Sequence, residues 1–238
     1  SAKLDDNQVR IQIKMTSLNF RDVLKLMGTY PGRSDWHSFE HAGVVTEIGR
    51  LVRDVHVGDN VFTLAESTFG SESRVDASKV YKIPSHLSLK HACSIPGVFL
   101  TAYGCLYAFA NIQKDDKILI HAASGGVGLA AIQLAKLRGA TLFVTTSTPK
   151  QAYLKSLGIH YIYDSRTSAF GKKILEDTQG TGVSLVLNSL TSDGFIDESL
   201  GALQQGGTFI EIGKINIYSQ EKMAATRPDV NYHIYALD

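Results

Sequence analysis

The pattern of apolar and polar positions changes near residue 95. Before it, the apolar residues form short runs of strand character. From residue 117 onward, short apolar runs of strand character alternate with segments whose apolar residues recur at helical spacing. The predicted strands cover residues 117–122, 141–146, 160–163, 183–188, 208–212 and 231–237. The predicted helices cover residues 127–137, 149–157, 170–177, 194–203 and 219–226. Because parallel neighbours need crossover connections, this alternation predicts an α/β fold with a doubly wound parallel sheet of six strands.

The first part of the chain is predicted to be a compact, mostly β domain. Turn signals such as Tyr30-Pro31-Gly32 separate its short β-like runs, which cover residues 9–15, 43–48, 60–64 and 79–83. We therefore place one domain over residues 1–95 and an α/β domain over residues 96–238. Strand character begins almost at the first residue and the chain stops on its last predicted strand, so we expect the first domain to be incomplete.

A glycine-rich turn joins the first strand of the second part to its first helix. The sequence HAASGGVG is an A-x-G-x-x-G version of the dinucleotide-binding turn. Its second position lets the backbone approach a diphosphate and its third lets the helix pack closely on the strand, while free N–H groups favour phosphate. The predicted cofactor-binding residues here are Ala123, Ser124, Gly125, Gly126, Val127 and Gly128. The alternative is a tight turn in an α/β sheet that binds nothing.

Composition and net charge indicate which kinds of binding partner to expect. The 238 residues are 44% hydrophobic, enough for a proper core, and Lys+Arg 24 against Asp+Glu 23 gives a net charge of +1. Nothing in this balance favours nucleic acid or an anionic membrane, and no apolar run approaches the ~20 residues of a membrane helix. Because Cys93 and Cys105 form no C-x-x-C or ligand cluster, we expect neither a disulfide framework nor structural zinc, and a reducing cytoplasm as the setting.

Several motifs resemble those of one enzyme family. They are SLNFRDVLKLMGTYPG at residues 17–32, FEHAGVVTEIG at 39–49, VFLTAY at 98–103, VLNSL at 186–190 and FIEIGK at 209–214. In this order, with the turn HAASGGVG, they resemble the enoyl reductase domains of modular polyketide synthases and animal fatty acid synthase. LNFRDV and EIGK distinguish these domains from alcohol dehydrogenases of the same medium-chain superfamily. The resemblance covers nearly the whole chain but lacks the family's C-terminal return into the catalytic domain.

The resemblance implies NADPH-dependent reduction of a trans-2-enoyl thioester on the phosphopantetheine of an acyl carrier protein, among neighbouring synthase domains. It implies a GroES-like catalytic domain and a Rossmann domain. It also implies no metal: Leu18-Asn19-Phe20 and Phe39-Glu40 stand where related dehydrogenases have zinc motifs, and the ligands are absent. The histidines, including His41 and His121, are interpreted as hydrogen-bonded or surface imidazoles.

Other functions remain open at this point. One is a free-standing quinone or enone reductase with the same fold. Another is a variant of the synthase domain that closes a halogenated substrate to a cyclopropane. A third, from a different class, is a non-catalytic module that keeps its nucleotide fold.

The segment after the second strand of the α/β part predicts the choice of cofactor. An NAD enzyme has an acid there for the ribose 2′-OH, whereas residues 144–150 carry no carboxylate and offer Ser147 and Lys150. The resemblance adds Arg166, which falls where the family's reductases hold a 2′-phosphate, and a guanidinium fork fits phosphate oxygens. NADPH is therefore the expected cofactor. The alternative is that Lys150 and Arg166 are ordinary solvated charges.

The resemblance also implies catalytic residues. Tyr30 faces the substrate, Lys214 follows the fifth strand of the sheet, and Asp238 aligns with the family's aspartate partner of that lysine. Negative charge that builds on the thioester oxygen needs preorganised donors, and an acid must protonate the α-carbon. The alternatives are an aromatic packed beside a turn for Tyr30, a solvated lysine for Lys214 and a frayed terminus for Asp238.

The remaining predicted cofactor contacts are Asn19, Thr101, Asn188, Ser189 and Gly213. Thr101 and Tyr103 are alternatively an N-cap and a core aromatic. Related dehydrogenases pair their sheets through the last strand, so residues 231–237 are a plausible edge for a homodimer.

Overall fold

The computed structural model describes residues 3–30, 38–67 and 69–237. The chain divides into two compact units, Ser1–Gly97 and Val98–Asp238. That residues 1–95 and 96–238 are separate domains, each able to fold by itself, remains a prediction.

The first unit is built on an antiparallel sheet of five strands among its described residues, in the order β4-β1-β2-β3-β5. The strands are β1 Gln8–Thr16, β2 Ser38–Ile48, β3 Asn60–Ser67, β4 Glu72–Asp76 and β5 Val80–Lys82. The helices are α1 Phe20–Leu26 and α2 Leu89–Cys93, with a 3-10 turn at Ala77–Lys79. A core of small aliphatic side chains, including Val9, Ile11, Val45, Val61 and Val75, fills one side of the sheet. The prediction of a mostly β first domain is confirmed.

Buried polar residues explain what the sequence pattern missed here. β2 begins at Ser38, five residues before the predicted start, because the buried Glu40 and His41 interrupt its apolar run. β4 has only Ser73 and Val75 on its buried face, too little apolar signal to predict a strand. α1 is held by a capping box at Asn19.

The second unit contains a fully parallel sheet of six strands, ordered β11-β10-β9-β6-β7-β8. The strands are β6 Lys117–Ile120, β7 Thr141–Thr146, β8 Tyr161–Asp164, β9 Val183–Asn188, β10 Leu203–Glu211 and β11 Asn231–Ile234. Counted within this unit, the order is 3-2-1-4-5-6 from one edge, which is that of a dinucleotide-binding doubly wound sheet. The predicted fold class is therefore confirmed, and β7 and β9 have the predicted bounds.

Helices cover both faces of this sheet, so its central strands are buried along nearly their whole length. They are α3 Pro96–Tyr103, α4 Gly126–Leu137, α5 Gln151–Ser156, α6 Phe170–Asp177, α7 Phe195–Gly201 and α8 Gln220–Thr226. Ile118 and Ile120 pack in one core with α3, α4 and α5, whereas Leu119 packs in the other with α6, α7 and α8. A π-helical segment, Gly104–Phe109, continues α3, and a 3-10 turn, Thr148–Lys150, precedes α5.

Candidate functional site

The glycine-rich turn follows β6 at the carboxyl edge of the parallel sheet. Ala122 takes a positive φ of 48°, and Gly125 is the N-cap of α4 with its own N–H donating to Ala122 O at 2.9 Å. The first amides of a helix have no acceptor within the helix, and a glycine N-cap supplies no side-chain acceptor for them. The N–H groups of Gly126 and Val127 therefore have no intrahelical acceptor.

Two glycines give this turn its shape. A Cβ at Gly128 would lie 2.5 Å from Ala123 Cα and 2.7 Å from Ala123 C, so only glycine permits the close approach of α4 to the turn. A Cβ at Gly125 would meet one described atom beyond its chain neighbours, Ala122 O at 3.2 Å. The close helix packing predicted at Gly128 is present, and the backbone at Gly125 is accessible. Both features fit the diphosphate of a dinucleotide.

A chain of hydrogen bonds lies directly beneath the turn. His121 Nδ1 is 2.9 Å from Thr145 Oγ1, and His121 Nε2 is 2.8 Å from Ser199 Oγ. Ser199 donates its own proton to Phe195 O at 2.7 Å, so it accepts from Nε2–H and the ring is the neutral Nε2–H tautomer. Complete burial lowers the pKa of His121 to about 3. The structure thus places this residue as a hydrogen-bonded core imidazole, which is how the sequence was interpreted.

The ends of β7 and β8 lie side by side, and the residues predicted to hold a 2′-phosphate follow these two ends. Thr146 pairs with Asp164 in the parallel register, and Ser165 N–H donates to Thr146 O at 3.0 Å. Ser147 is half-buried, while Lys150 and Arg166 are exposed. Ser147 is the N-cap of the 3-10 turn.

Asp164 is a residue of this region that the sequence interpretation missed. Its Oδ1 accepts from Arg166 N–H at 2.9 Å and its Oδ2 accepts from Thr148 Oγ1–H at 3.2 Å. The segment after β7 carries no carboxylate, but the neighbouring strand supplies one. Only the strand register reveals this, since 18 residues separate Thr146 from Asp164 in sequence.

A buried polar pair lies at the ends of β9 and β10. Asn188 and Glu211 are both completely buried, and Asn188 Nδ2 donates to Glu211 Oε2 at 2.6 Å. Glu211 Oε1 accepts from Gly213 N–H at 2.7 Å. Burial raises the pKa of the Glu211 carboxyl to about 7, against the opposing hydrogen bonds from Asn188 and the amides of Gly213 and Ile212. Glu211 was not among the predicted site residues, although a charged residue inside an apolar strand signals a partner or a role.

The predicted site residues Asn188, Ser189 and Lys214 differ in their hydrogen bonding and burial. Asn188 also donates to Leu190 O and accepts from Leu190 N–H, both at 3.2 Å, so both of its amide hydrogens bond within the protein. Ser189 Oγ is buried with no hydrogen-bond partner among the described residues. Lys214 is half-buried in the loop three residues after β10 ends.

The first unit places two predicted residues around α1. Asn19 is the N-cap, and its N–H donates to Asp22 Oδ2 at 2.8 Å. Tyr30 follows α1 with its N–H donating to Leu24 O at 3.2 Å. Its ring centroid lies 5.8 Å from Arg21 Cζ and 5.7 Å from Lys25 Nζ. Two cationic side chains thus stand close to the predicted substrate-facing phenol.

Glu40 lies where related dehydrogenases have a zinc motif, and both it and the neighbouring His41 are engaged in hydrogen bonds within the protein. The buried Glu40 carboxylate accepts from Ser17 Oγ–H and from Gly97 N–H. His41 Nε2 is 2.6 Å from Ser73 Oγ, and burial lowers the pKa of His41 to about 4. Within residues 3–30, 38–67 and 69–237, no three His, Cys, Asp or Glu side chains cluster as a metal site would require. Over the same part of the chain, no helix has the length and apolar character to cross a membrane.

The sequence also made predictions for Thr101, Tyr103 and Asp238. Thr101 lies within α3 rather than at its N-cap. Tyr103 is 54% exposed and stacks on Tyr107 at 5.0 Å, so the alternative of a core aromatic is wrong. Asp238 lies outside the described residues.

Two family descriptions match the chain in succession. The alcohol dehydrogenase GroES-like domain family matches residues 5–122, and the zinc-binding dehydrogenase family matches residues 126–231. The phenolphthiocerol synthesis polyketide synthase type I Pks15/1 of Mycobacterium marinum is 42% identical over 238 residues. That match takes in 99% of this chain but 11% of the synthase.

Solved structures resemble the chain along its whole length. The CurK enoyl reductase has a TM-score of 0.94 and 38% identity, covering 100% of this chain and 75% of its own. The CurF ER cyclopropanase from the curacin A biosynthetic pathway has a TM-score of 0.94 and 36% identity, covering 99% and 74%. An Escherichia coli quinone oxidoreductase complexed with NADPH has a TM-score of 0.87 and 27% identity, covering 100% and 74%.

Proposed function

Because this chain belongs to the polyketide synthase enoyl reductases, oxidoreductases of the medium-chain dehydrogenase/reductase superfamily, we propose that it reduces a trans-2-enoyl thioester with NADPH. The substrate is carried on the phosphopantetheine of an acyl carrier protein, and the domain works among neighbouring synthase domains. The observation that carries this proposal is the full-length similarity to CurK enoyl reductase at 38% identity. The glycine-rich turn with its open amides is independent support from the structure.

The second unit has the residues to hold NADPH. The turn residues Ala123, Ser124, Gly125, Gly126, Val127 and Gly128 would hold the diphosphate. Ser147, Lys150 and Arg166 would hold the 2′-phosphate, since a guanidinium and an ammonium suit a dianion. Ser189, whose buried hydroxyl has no described partner, and Gly213 would line the nicotinamide end with Asn188 and Thr101. Asn19, in the first unit, is a separate proposed cofactor contact. NADPH, when bound, supplies the hydride that the β-carbon receives.

Chain residues carry the remaining chemistry. Negative charge develops on the thioester oxygen as the double bond is reduced, and a positioned donor stabilises it. Lys214, in the loop after β10, is the proposed donor, with Asp238 as its partner. Tyr30 is the proposed acid at the α-carbon, because the family resemblance implies that its phenol faces the substrate. No step requires a metal ion in this proposal.

NADPH consumption with an enoyl-pantetheine substrate tests the proposal. We expect the wild type to oxidise NADPH and Lys214→Ala to lose roughly 10²-fold in kcat, the typical loss for one charge-stabilising donor. Lys172→Ala is the matched control, because that lysine is 85% exposed on α6 with a 3.9 Å ion pair to Glu176. Turnover with a quinone but not with the thioester would instead favour a free-standing quinone reductase.

A cyclopropane-forming reaction is the second candidate, favoured by the 36% identity to the CurF cyclopropanase. It begins with the same hydride transfer to the β-carbon. The α-carbon then displaces a γ-chloride, so that a carbon–carbon bond forms and chloride leaves. Mass analysis of the product from a γ-chlorinated enoyl thioester distinguishes the two, since ring closure adds a hydride and expels chloride, whereas simple reduction adds a hydride and a proton and retains chlorine.

We also propose a homodimer through β11. This strand pairs with β10 on one side and lies at the edge of the sheet order. An open strand edge is a template for pairing with a second copy. Sedimentation of the wild type beside Tyr232→Pro, which removes a main-chain donor from β11, tests it, and a monomeric wild type contradicts it.

A further inference from the structure

The buried pair Asn188–Glu211 joins the ends of two neighbouring strands. Oε2 of the glutamate accepts from the asparagine amide at 2.6 Å, and Oε1 accepts from Gly213 N–H at 2.7 Å. The side chain of Asn188 also donates to Leu190 O and accepts from Leu190 N–H, both at 3.2 Å, which fixes the start of the loop after β9. One carboxyl therefore connects the loop that follows β9 with the loop that follows β10.

Packing around Gly213 tightens this connection. A Cβ there would lie 2.7 Å from Glu211 Oε1 and 2.7 Å from Thr191 Cγ2, and Thr191 belongs to the loop after β9. The glutamate backbone is also fixed, since Tyr235 N–H donates to Glu211 O at 2.9 Å. The two loops thus meet at the carboxyl with little room for adjustment.

We propose that Glu211 is a positioning residue that sets the placement of Lys214 and Ser189 relative to each other. This inference rests on the proposed function, in which those residues stabilise the reacting thioester and line the nicotinamide end. Ser189 directly follows Asn188 and Lys214 directly follows Gly213, so each is one residue from a group that the carboxyl holds. A displacement of either by about 1 Å is enough to lower turnover strongly.

The chemistry requires a carboxylate rather than an amide. Both oxygens accept hydrogen bonds from N–H donors, which the glutamate satisfies when it is ionised, above its pKa of about 7, and a glutamine does not. In Glu211→Gln, one end of the side chain becomes an NH₂ group that faces either the Asn188 NH₂ or the Gly213 N–H. The two donors repel, and one of the loops must move.

A reciprocal exchange repairs that conflict. In the double variant Asn188→Asp with Glu211→Gln, the new aspartate accepts from the glutamine NH₂, and the glutamine oxygen still accepts from Gly213 N–H. The introduced carboxylate also keeps an acceptor for Leu190 N–H and loses only the bond to Leu190 O. The link between the loops is restored with donor and acceptor exchanged.

The experiment measures kcat and KM with an enoyl-pantetheine, the NADPH dissociation constant by fluorescence, and the melting temperature. We expect Glu211→Gln to lower kcat about tenfold or more while the NADPH constant changes less than about threefold, since the diphosphate and 2′-phosphate residues are untouched. The double variant should have a kcat at least about threefold higher than that of Glu211→Gln or Asn188→Ala. Asn188→Ala removes the donor to Glu211 Oε2 and should lower kcat by a similar factor. It replaces Glu211→Gln in the test if Glu211→Gln does not fold.

Thr178→Val is the matched structural control. Thr178 is buried, donates to Ile174 O at 2.7 Å and accepts from Gly182 N–H at 2.9 Å, at the opposite, amino end of β9. It should lower the melting temperature with kcat unchanged below the transition. Wild-type kcat in Glu211→Gln or Asn188→Ala, or a double variant no better than either, overturns the positioning role. A wild type that reduces no enoyl thioester overturns the proposed function instead.

Discussion

The carboxyl edge of the parallel sheet is built in two different ways on its two sides. On the side of β6, β7 and β8, the proposed site consists of main-chain amides at a turn and exposed side chains such as Lys150 and Arg166. On the side of β9 and β10, it consists of Asn188 and Glu211, both completely buried. Exposed charges suit binding, because a ligand can reach them, and salt screens their attraction for it. Buried hydrogen bonds suit positioning, because each one fixes a loop.

His121 connects the two sides. It lies at the turn after β6, and its ring bonds Thr145 on β7 and Ser199 on α7. Since α7 follows the loop after β9, a change at this imidazole reaches both halves of the edge.

The largest effect is expected from Gly128→Ala. The added methyl group would overlap Ala123 at 2.5 Å, and since its neighbour is backbone, α4 or the turn must shift. We expect a loss of about 1–3 kcal/mol in the free energy of unfolding and loss of NADPH binding. Gly201→Ala is the control, because a Cβ there meets nothing within 4 Å. Thermal melts and cofactor titration check both, and equal behaviour of the two variants contradicts the close packing.

The two halves also differ in how much of them the sequence reveals. The turn was predicted because glycine spacing reports backbone geometry directly, and the strands because Ile118, Leu119 and Ile120 alternate between two cores. Glu211 was missed, because its chemistry depends on which residue of β9 lies beside it. The spacing of one strand says nothing about that register. Asp164 was missed for the same reason, since its neighbour Thr146 is on another strand.

Arg166→Ala should have the next largest effect, confined to the exposed half. A charge-assisted hydrogen bond contributes about 1.5–3 kcal/mol, so the KM for NADPH should rise roughly 10- to 100-fold. The KM for NADH, which lacks the 2′-phosphate, should change less than about twofold. Lys155→Ala removes a comparable exposed charge from α5 and should leave both constants unchanged. Equal losses with both cofactors would remove Arg166 from the phosphate site.

His121→Gln should flatten the acid side of the stability curve. Burial lowers the pKa of this imidazole to about 3 from an ordinary 6.5, so the folded state keeps it neutral while the unfolded chain takes up a proton. Stability is therefore lost as pH falls below about 6.5, by about 1.4 kcal/mol per pH unit for this residue. Denaturant titrations between pH 4.5 and 7 should show a slope reduced by one proton in the variant.

Two other groups act in the same pH window and set the background slope. His41, with a pKa lowered to about 4, adds stability loss in the same direction as pH falls. Glu211, with a pKa raised to about 7, acts oppositely: its folded form holds the extra proton, so its contribution falls as pH rises from about 4.5 to 7. Replacing His160, whose side chain is exposed, is the control. An unchanged slope in His121→Gln contradicts the buried neutral imidazole.

The smallest effect, and the sharpest test of the exposed half, is expected from Asp164→Asn. The asparagine keeps the oxygen that accepts from Arg166 N–H, so the loop keeps its shape, but a negative charge beside the proposed phosphate site is removed. Exposed charges interact weakly, by up to about 1 kcal/mol. NADPH should therefore bind two- to fivefold more tightly at low salt, with NADH unchanged and the gain lost near 1 M salt. Glu176→Gln removes a similar charge from α6 and should change neither cofactor's affinity. A gain that survives high salt, or that NADH shares, would mean that Asp164 acts on the loop rather than on the charge.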